Sequence, residues 1–149
     1  MHTTSSPDVF EVMHQLVHAY RTQMLCNIQL THPELTLNEM RALMFVGTHP
    51  GVTQRELAAH SGADKGLIAR LVGSLIDKGW LFRELHETDK RSNRLILSAE
   101  GAAIYQSLHV CGQAISSTLL SGLDHRDQRQ LLTLVDRAAS NLKALPEMQ

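Results

Sequence analysis

Apolar residues recur at helical spacing along most of the chain, and the breaks in that rhythm mark its elements. Val9, Met13, Leu16, Tyr20, Met24 and Ile28 fall on one helical face, which predicts a long first helix running to about Leu30. Ser6-Pro7 supplies an N-cap and a first-turn proline, and His32-Pro33 ends the pattern. Thr36-Leu37-Asn38-Glu39 has the form of a capping box, with Leu35 placed to staple onto Met40. A second helix is therefore expected to about Thr48, closed by Pro50-Gly51. The device repeats with Thr53 and Glu56 as the box and Val52 and Leu57 as the staple, and Ser61-Gly62 breaks this short third helix. Asp64 is placed to cap a fourth helix with the apolar stripe Ile68, Leu71, Val72, Leu75 and Ile76, stopped by Gly79.

The period then changes. Residues 80–85 and 94–98 are short β-type runs separated by eight polar residues, which predicts a hairpin with a long loop. Ser98 is placed to cap a fifth helix carrying Ile104, Leu108, Cys111, Ile115 and Leu119 to about Gly122. Asp124 caps a sixth with the stripe Leu131, Leu134, Val135, Ala138 and Leu142, and Pro146 ends the pattern. Four helices, a hairpin and two helices make a mainly α fold in which a winged helix-turn-helix occupies residues 35–98. Residues 8–34 and 99–145 remain as helices with apolar stripes, for which the short head leaves little use other than dimerisation.

Composition narrows the class. A chain of 149 residues with 43% hydrophobic content is long enough to bury one sizeable core. No apolar run approaches the roughly 18 residues a membrane span needs, and the polar start of the chain is unlike a signal peptide. Two cysteines do not form a disulfide framework, so a reducing, cytoplasmic location is expected. The net charge is −1, but residues 55–94 hold eight Lys/Arg and six Asp/Glu (+2), leaving six and nine (−3) for the remainder.

That positive bias falls where a reading surface is expected. The fourth helix must bury its stripe, so Lys65, Gly66, Ala69, Arg70 and Gly73 face outward behind Asp64. A major groove admits one helix, and an arginine there makes the bidentate guanine contact. Taken singly, Lys65 and Arg70 are equally ordinary solvated charges. The hairpin tip shifts the balance, because Asp89, Lys90, Arg91 and Arg94 place three cations beside a carboxylate that can hold a guanidinium in position. Thr53 and Gln54, at the start of the third helix, complete the candidate surface.

At these residues the chain resembles the MarR family of winged-helix transcriptional regulators. Asp89-Lys90-Arg91 followed by Leu97-Ser98 resembles the family's D-x-R-x5-L-T signature, with Ser in place of Thr. Leu75-Ile76-Asp77-Lys78-Gly79-Trp80-Leu81 resembles the close of its recognition helix, and the likeness spans about residues 8–143. The resemblance implies a homodimer, built on the first, fifth and sixth helices, that binds pseudo-palindromic double-stranded DNA. It also implies repression relieved by a small ligand or by oxidation. It makes Asp89 and Arg91 the wing pair and Lys65, Ala69 and Arg70 the groove-facing positions; where the family often has small polar groups, this chain has Gly66 and Leu67.

Other chemistries find less support. Cys26 and Cys111 are the redox candidates, but neither has a Lys or Arg within a helical turn to lower its pKa, and buried structural thiols are the simpler expectation. His14 and His18 have ligand spacing, with His109 as a further candidate, yet no Cys/His or carboxylate cluster completes a metal site. No cofactor motif, nucleophile elbow or phosphate loop is present, and His86-Glu87-Thr88-Asp89-Lys90 lacks the second histidine of a zinc protease, so an enzyme is not expected. Tyr20, Met24, Met40, Met44 and Phe45 are candidate pocket residues for a small aromatic or apolar effector, with ordinary core packing as the simpler alternative. A winged-helix protein–protein module that never touches DNA is the competing function.

Overall fold

A computed structural model describes residues 8–85 and 93–146. Helices α1 (Val9–Ile28), α2 (Leu37–Thr48), α3 (Gln54–Ser61) and α4 (Lys65–Asp77) are followed by strands β1 (Leu81–Glu84) and β2 (Arg94–Leu97). Helices α5 (Ala99–Leu119) and α6 (His125–Ser140) and a 3-10 turn (Asn141–Ala144) complete the order that the periodicity predicts. The strands form one antiparallel hairpin with Leu81 opposite Leu97 and Glu84 opposite Arg94. Two compact units divide within α5, Met1–Ile115 and Ser116–Gln149.

The core of the first unit is a single cluster. Leu43, Val72, Leu75, Leu95 and Leu108 have no accessible surface, and Met24, Ile28, Leu35, Met40, Val46, Leu57, Ile68, Trp80 and Ile104 close around them. Each such side chain contributes about 1.5–3 kcal/mol by leaving water. The cluster draws on α1 and α5 as well as on residues 35–98, so the reading head does not close its own core. Only the C-terminal part of the α1 stripe takes part. Met24 and Ile28 are buried, Met13 and Tyr20 half-buried, and Val9 and Leu16 exposed.

Local signals explain most boundaries. Thr53 and Glu56 form both bonds of the expected capping box at α3 (3.1 and 3.3 Å), and Gly62 closes that helix at φ 65°, a left-handed conformation suited to glycine. Ser98 accepts from the Gly101 amide at 3.0 Å and donates to the Gly79 carbonyl at 2.6 Å, so one hydroxyl caps α5 and ties it to the end of α4. Gly101 lies so close to the Trp80 carbonyl that a β-carbon would overlap it.

Three expected caps differ. Ser6-Pro7 lies outside the described residues, and α1 is capped by Asp8, which accepts from the Phe10 amide at 3.0 Å. Asp64 occupies the N-cap of α4 without a side-chain cap bond. Thr36 accepts from the Glu39 amide at 3.2 Å, but the reciprocal half of that box is missing because the Glu39 carboxylate is engaged by α4. The strands are also shorter than the β-type runs: Trp80 precedes β1 as a buried residue and Ser98 serves as a cap.

In the second unit, Asp124 and Asp127 form a complete capping box at α6 (2.8 and 3.4 Å). No α6 side chain is buried, and Leu131, Leu132, Leu134, Val135 and, beyond the helix, Leu142 and Leu145 are exposed. Among the described residues, no helix is long and apolar enough to cross a membrane.

Two glycines should separate close packing from helix propensity. Gly101→Ala is expected to lose about 1–3 kcal/mol in urea unfolding, because the added methyl must displace backbone. Gly73→Ala meets nothing within 4 Å and should gain up to about 1 kcal/mol from propensity.

Candidate nucleic-acid interface

The candidate surface begins with the amphipathicity of α4. Ile68, Val72 and Leu75 are buried and Leu71 and Ile76 half-buried, which turns Lys65, Gly66, Ala69 and Arg70 outward as exposed residues. Gly73 is half-buried with open space at its missing β-carbon. Leu67 also lies on the exposed side, at 46%. An apolar side chain there can meet a thymine methyl, whereas Arg70 can donate twice to guanine. Asp64 makes no side-chain cap bond to the first-turn amides of α4, and a helix N-terminus with open amides attracts phosphate.

The hairpin is bolted to the start of α3. The Leu95 amide donates to the Val52 carbonyl at 2.8 Å, Thr53 and Arg94 form an antiparallel bridge, and the Ser98 amide donates to the Trp80 carbonyl at 3.0 Å. Arg83 Nη2 donates to Gln54 Oε1 at 3.2 Å, adding a cation that motif reasoning passes over. Strand alternation carries the missing signal, since Arg83 lies two residues beyond the buried Leu81 and shares its face. Thr53, Gln54, Arg83 and Arg94 are thus gathered at one corner. Asp89, Lys90 and Arg91, the expected wing residues, lie outside the described residues.

The five candidate pocket residues Tyr20, Met24, Met40, Met44 and Phe45 all line one cavity of about 570 Å³. Its wall also contains Arg21, Glu39, Arg41, His49, His60, Arg70 and Ser74. Phe45 stacks between His49 and His60, with ring centroids 4.3 and 4.1 Å away. Burial pulls the Arg21 guanidinium below the usual arginine range, and the neighbouring Arg41 charge adds to the shift. Neither arginine has a carboxylate within ion-pair distance among the described residues. Helical spacing locates the apolar wall, whereas the two arginines and two histidines meet only through tertiary packing.

The expectation of two buried thiols is corrected by the structure. Cys26 is exposed and Cys111 half-buried. Cys26 stands two residues from Met24, about 200° around α1 from the side that enters the core. His14 and His18 stack at 6.4 Å on the exposed side of α1, and the described residues contain no group of three potential metal ligands.

The sequence profile of the MarR family matches residues 34–92. The HTH-type transcriptional regulator BilQ of Clostridium symbiosum is 31% identical over 121 residues, covering 81% of this chain and 84% of that protein. Among solved structures, transcriptional regulator PA3341 has a TM-score of 0.80 at 22% identity, over 93% of this chain and 100% of that one. A MarR-family transcriptional regulator from Listeria monocytogenes, complexed with 26mer DNA, has a TM-score of 0.79 at 15% identity, over 92% and 90%. At these identities the two structures speak for the fold alone.

Thr53 joins the α3 cap to the hairpin base. Thr53→Ala should cost about 1 kcal/mol of stability through the lost cap and speed amide exchange in the first turn of α3, measured by urea unfolding and hydrogen exchange.

Proposed function

The chain belongs to the MarR family of winged-helix transcriptional regulators, and from that premise we propose that it is a cytoplasmic homodimeric repressor whose release from DNA is controlled by a small ligand. It is a DNA-binding regulator, and its curated relatives are regulators rather than enzymes. The observation that carries the reading is the exposure of Lys65, Leu67 and Arg70 on α4, beside a hairpin base held to the start of α3. The groove helix would read bases, and Thr53, Gln54 and Arg94 would hold phosphate. Asp89, Lys90 and Arg91 would extend the wing towards the minor groove. Glycines at 66 and 73 leave few base-reading side chains, so DNA shape shares the specificity while phosphate contacts supply general affinity and register.

Exposed apolar side chains support the dimer. On α1, Val9, Phe10, Val12, Leu16 and Val17 are exposed, with Phe10 at 70%; in the second unit, Leu131, Leu132, Leu134 and Val135 are exposed. Apolar surface of this extent suits a partner subunit. A two-fold dimer would set two α4 helices about 34 Å apart, one turn of DNA. Residues 8–34 and 99–145 would supply that contact, and residues 35–98 the reading head.

The cavity supports ligand control. Its volume lies in the range of small-molecule sites, roughly 300–1,000 Å³. Methionines and the Phe45 stack suit an aromatic or apolar body, and the unneutralised pair Arg21 and Arg41 favours a negatively charged group upon it. Oxidation is the second route considered, and the exposure of Cys26 is the observation in its favour.

Binding to upstream DNA should weaken steeply with salt, by about 10³–10⁵ between 50 and 200 mM if six to ten phosphates are contacted. Salt-insensitive or absent binding would instead support the protein–protein module. Arg91→Ala should raise the Kd for DNA while sedimentation still finds a dimer. For ligand control, aromatic carboxylates should release fluorescent DNA from the wild type. Arg21→Ala should blunt that response without changing affinity in the absence of ligand.

A further inference from the structure

Glu39 is the one buried charged residue among the described residues, 5% exposed on the first turn of α2. Its Oε2 accepts from Lys78 Nζ at 2.8 Å, and its Oε1 accepts from Lys78 Nζ at 3.0 Å and from the Ser74 hydroxyl at 3.2 Å. Lys78 Nζ also donates to the Glu34 carbonyl at 3.1 Å and lies 5.1 Å from the centre of the Trp80 ring. An ammonium has three protons, and three oxygens surround this one. The pair is fully satisfied, and it is the one salt bridge among the described residues.

Glu39 is buried and Lys78 half-buried, and an ion pair taken out of water gains little net stability over an apolar substitute, because desolvation offsets attraction. Its directional bonds act on register instead. Ser74 lies in α4 and Lys78 is its C-cap, four residues on, so Glu39 grips two points on one side of the helix. Two such points oppose both rotation about the axis and sliding along it. One further step of four back along the same row is Arg70, on the reading surface. Helix capping does not account for Glu39, since its carboxylate forgoes the reciprocal box bond to reach α4.

We infer that Glu39 is a positioning residue for base recognition: through Ser74 and Lys78 it sets the rotation of α4 and hence the direction in which Arg70 meets the groove. This role rests on the DNA-reading function proposed above. It separates specificity from general affinity, because phosphate contacts depend on charge more than on the rotation of one helix.

The test starts by selecting a preferred duplex from a random pool with the wild-type protein. Affinities for that duplex and for a scrambled one are then measured across salt, alongside thermal stability and sedimentation. Glu39→Gln should lose at least tenfold on the selected duplex, with scrambled-duplex affinity, salt slope and dimerisation unchanged. Ser74→Ala should shift the same ratio in the same direction by less, and the exchange E39K with K78E should recover part of the loss. If both single variants melt earlier yet keep the wild-type ratio, Glu39 serves packing alone and the role is overturned. Should Glu39→Gln fail to fold, an unchanged ratio for Ser74→Ala overturns it equally. A wild-type protein that selects no sequence would remove the DNA-reading premise itself, and the role of Glu39 with it.

Discussion

Helix α4 has to satisfy two surfaces at once, and much of the fold follows from that constraint. Ile68, Val72 and Leu75 are drawn out of water where α4 packs on α2, α3 and the hairpin, while Lys65, Leu67 and Arg70 stay exposed. The apolar stripe sets which side is buried through packing contacts that are many and weakly directional. The bonds from Ser74 and Lys78 to Glu39 act on the same helix with much narrower geometry. Packing and polar anchoring therefore divide the work of presenting one short helix to solvent.

The hairpin extends the same principle to the other side of the surface. Its inner residues Leu81 and Leu95 belong to the core, while Leu95 and Arg94 pair with the Val52-Thr53 segment that starts α3. Helix start and wing base are bonded to each other, so the half-buried Gln54 and the exposed Arg83 and Arg94 share a frame. The cavity opens onto this machinery from within, because Glu39, Arg70 and Ser74 stand in its wall beside Met24, Met40 and Phe45. A molecule seated there would touch groups that hold and carry the reading side chains. Under the proposed ligand control, such an arrangement would couple the two sites through direct contact, with no long relay needed.

Element order, the side of α4 that faces inward and the apolar wall of the cavity were all legible in the chain, because each depends on spacing along one element. Periods of 3.6 and 2 decide those features locally. The long first stripe was legible too, but its division was not. Val9 and Leu16 continue the same face as Met24 and Ile28, yet only the second pair enters the core of this chain. Periodicity records that a face avoids water; it does not record what covers it. Cys26 shows the converse, since membership of a mostly apolar segment does not make a residue buried.

The sequence by itself determined the helices, the hairpin and the position of the reading helix between them, since capping residues, glycine stops and hydrophobic spacing act over a few residues. Tertiary structure decided which partner each polar group took. Glu39 carries the local signature of a capping-box residue, and the same signature at Glu56 is satisfied locally in full. The difference is Lys78, thirty-nine positions away, brought by the packing of α4 to where its ammonium can neutralise a carboxylate that has left water. Arg21 and Arg41, Arg83 and Gln54, and the Phe45 stack are encounters of the same kind. Electrostatic and hydrogen-bonding partners are chosen by proximity in space, and a single sequence carries no direct record of that proximity.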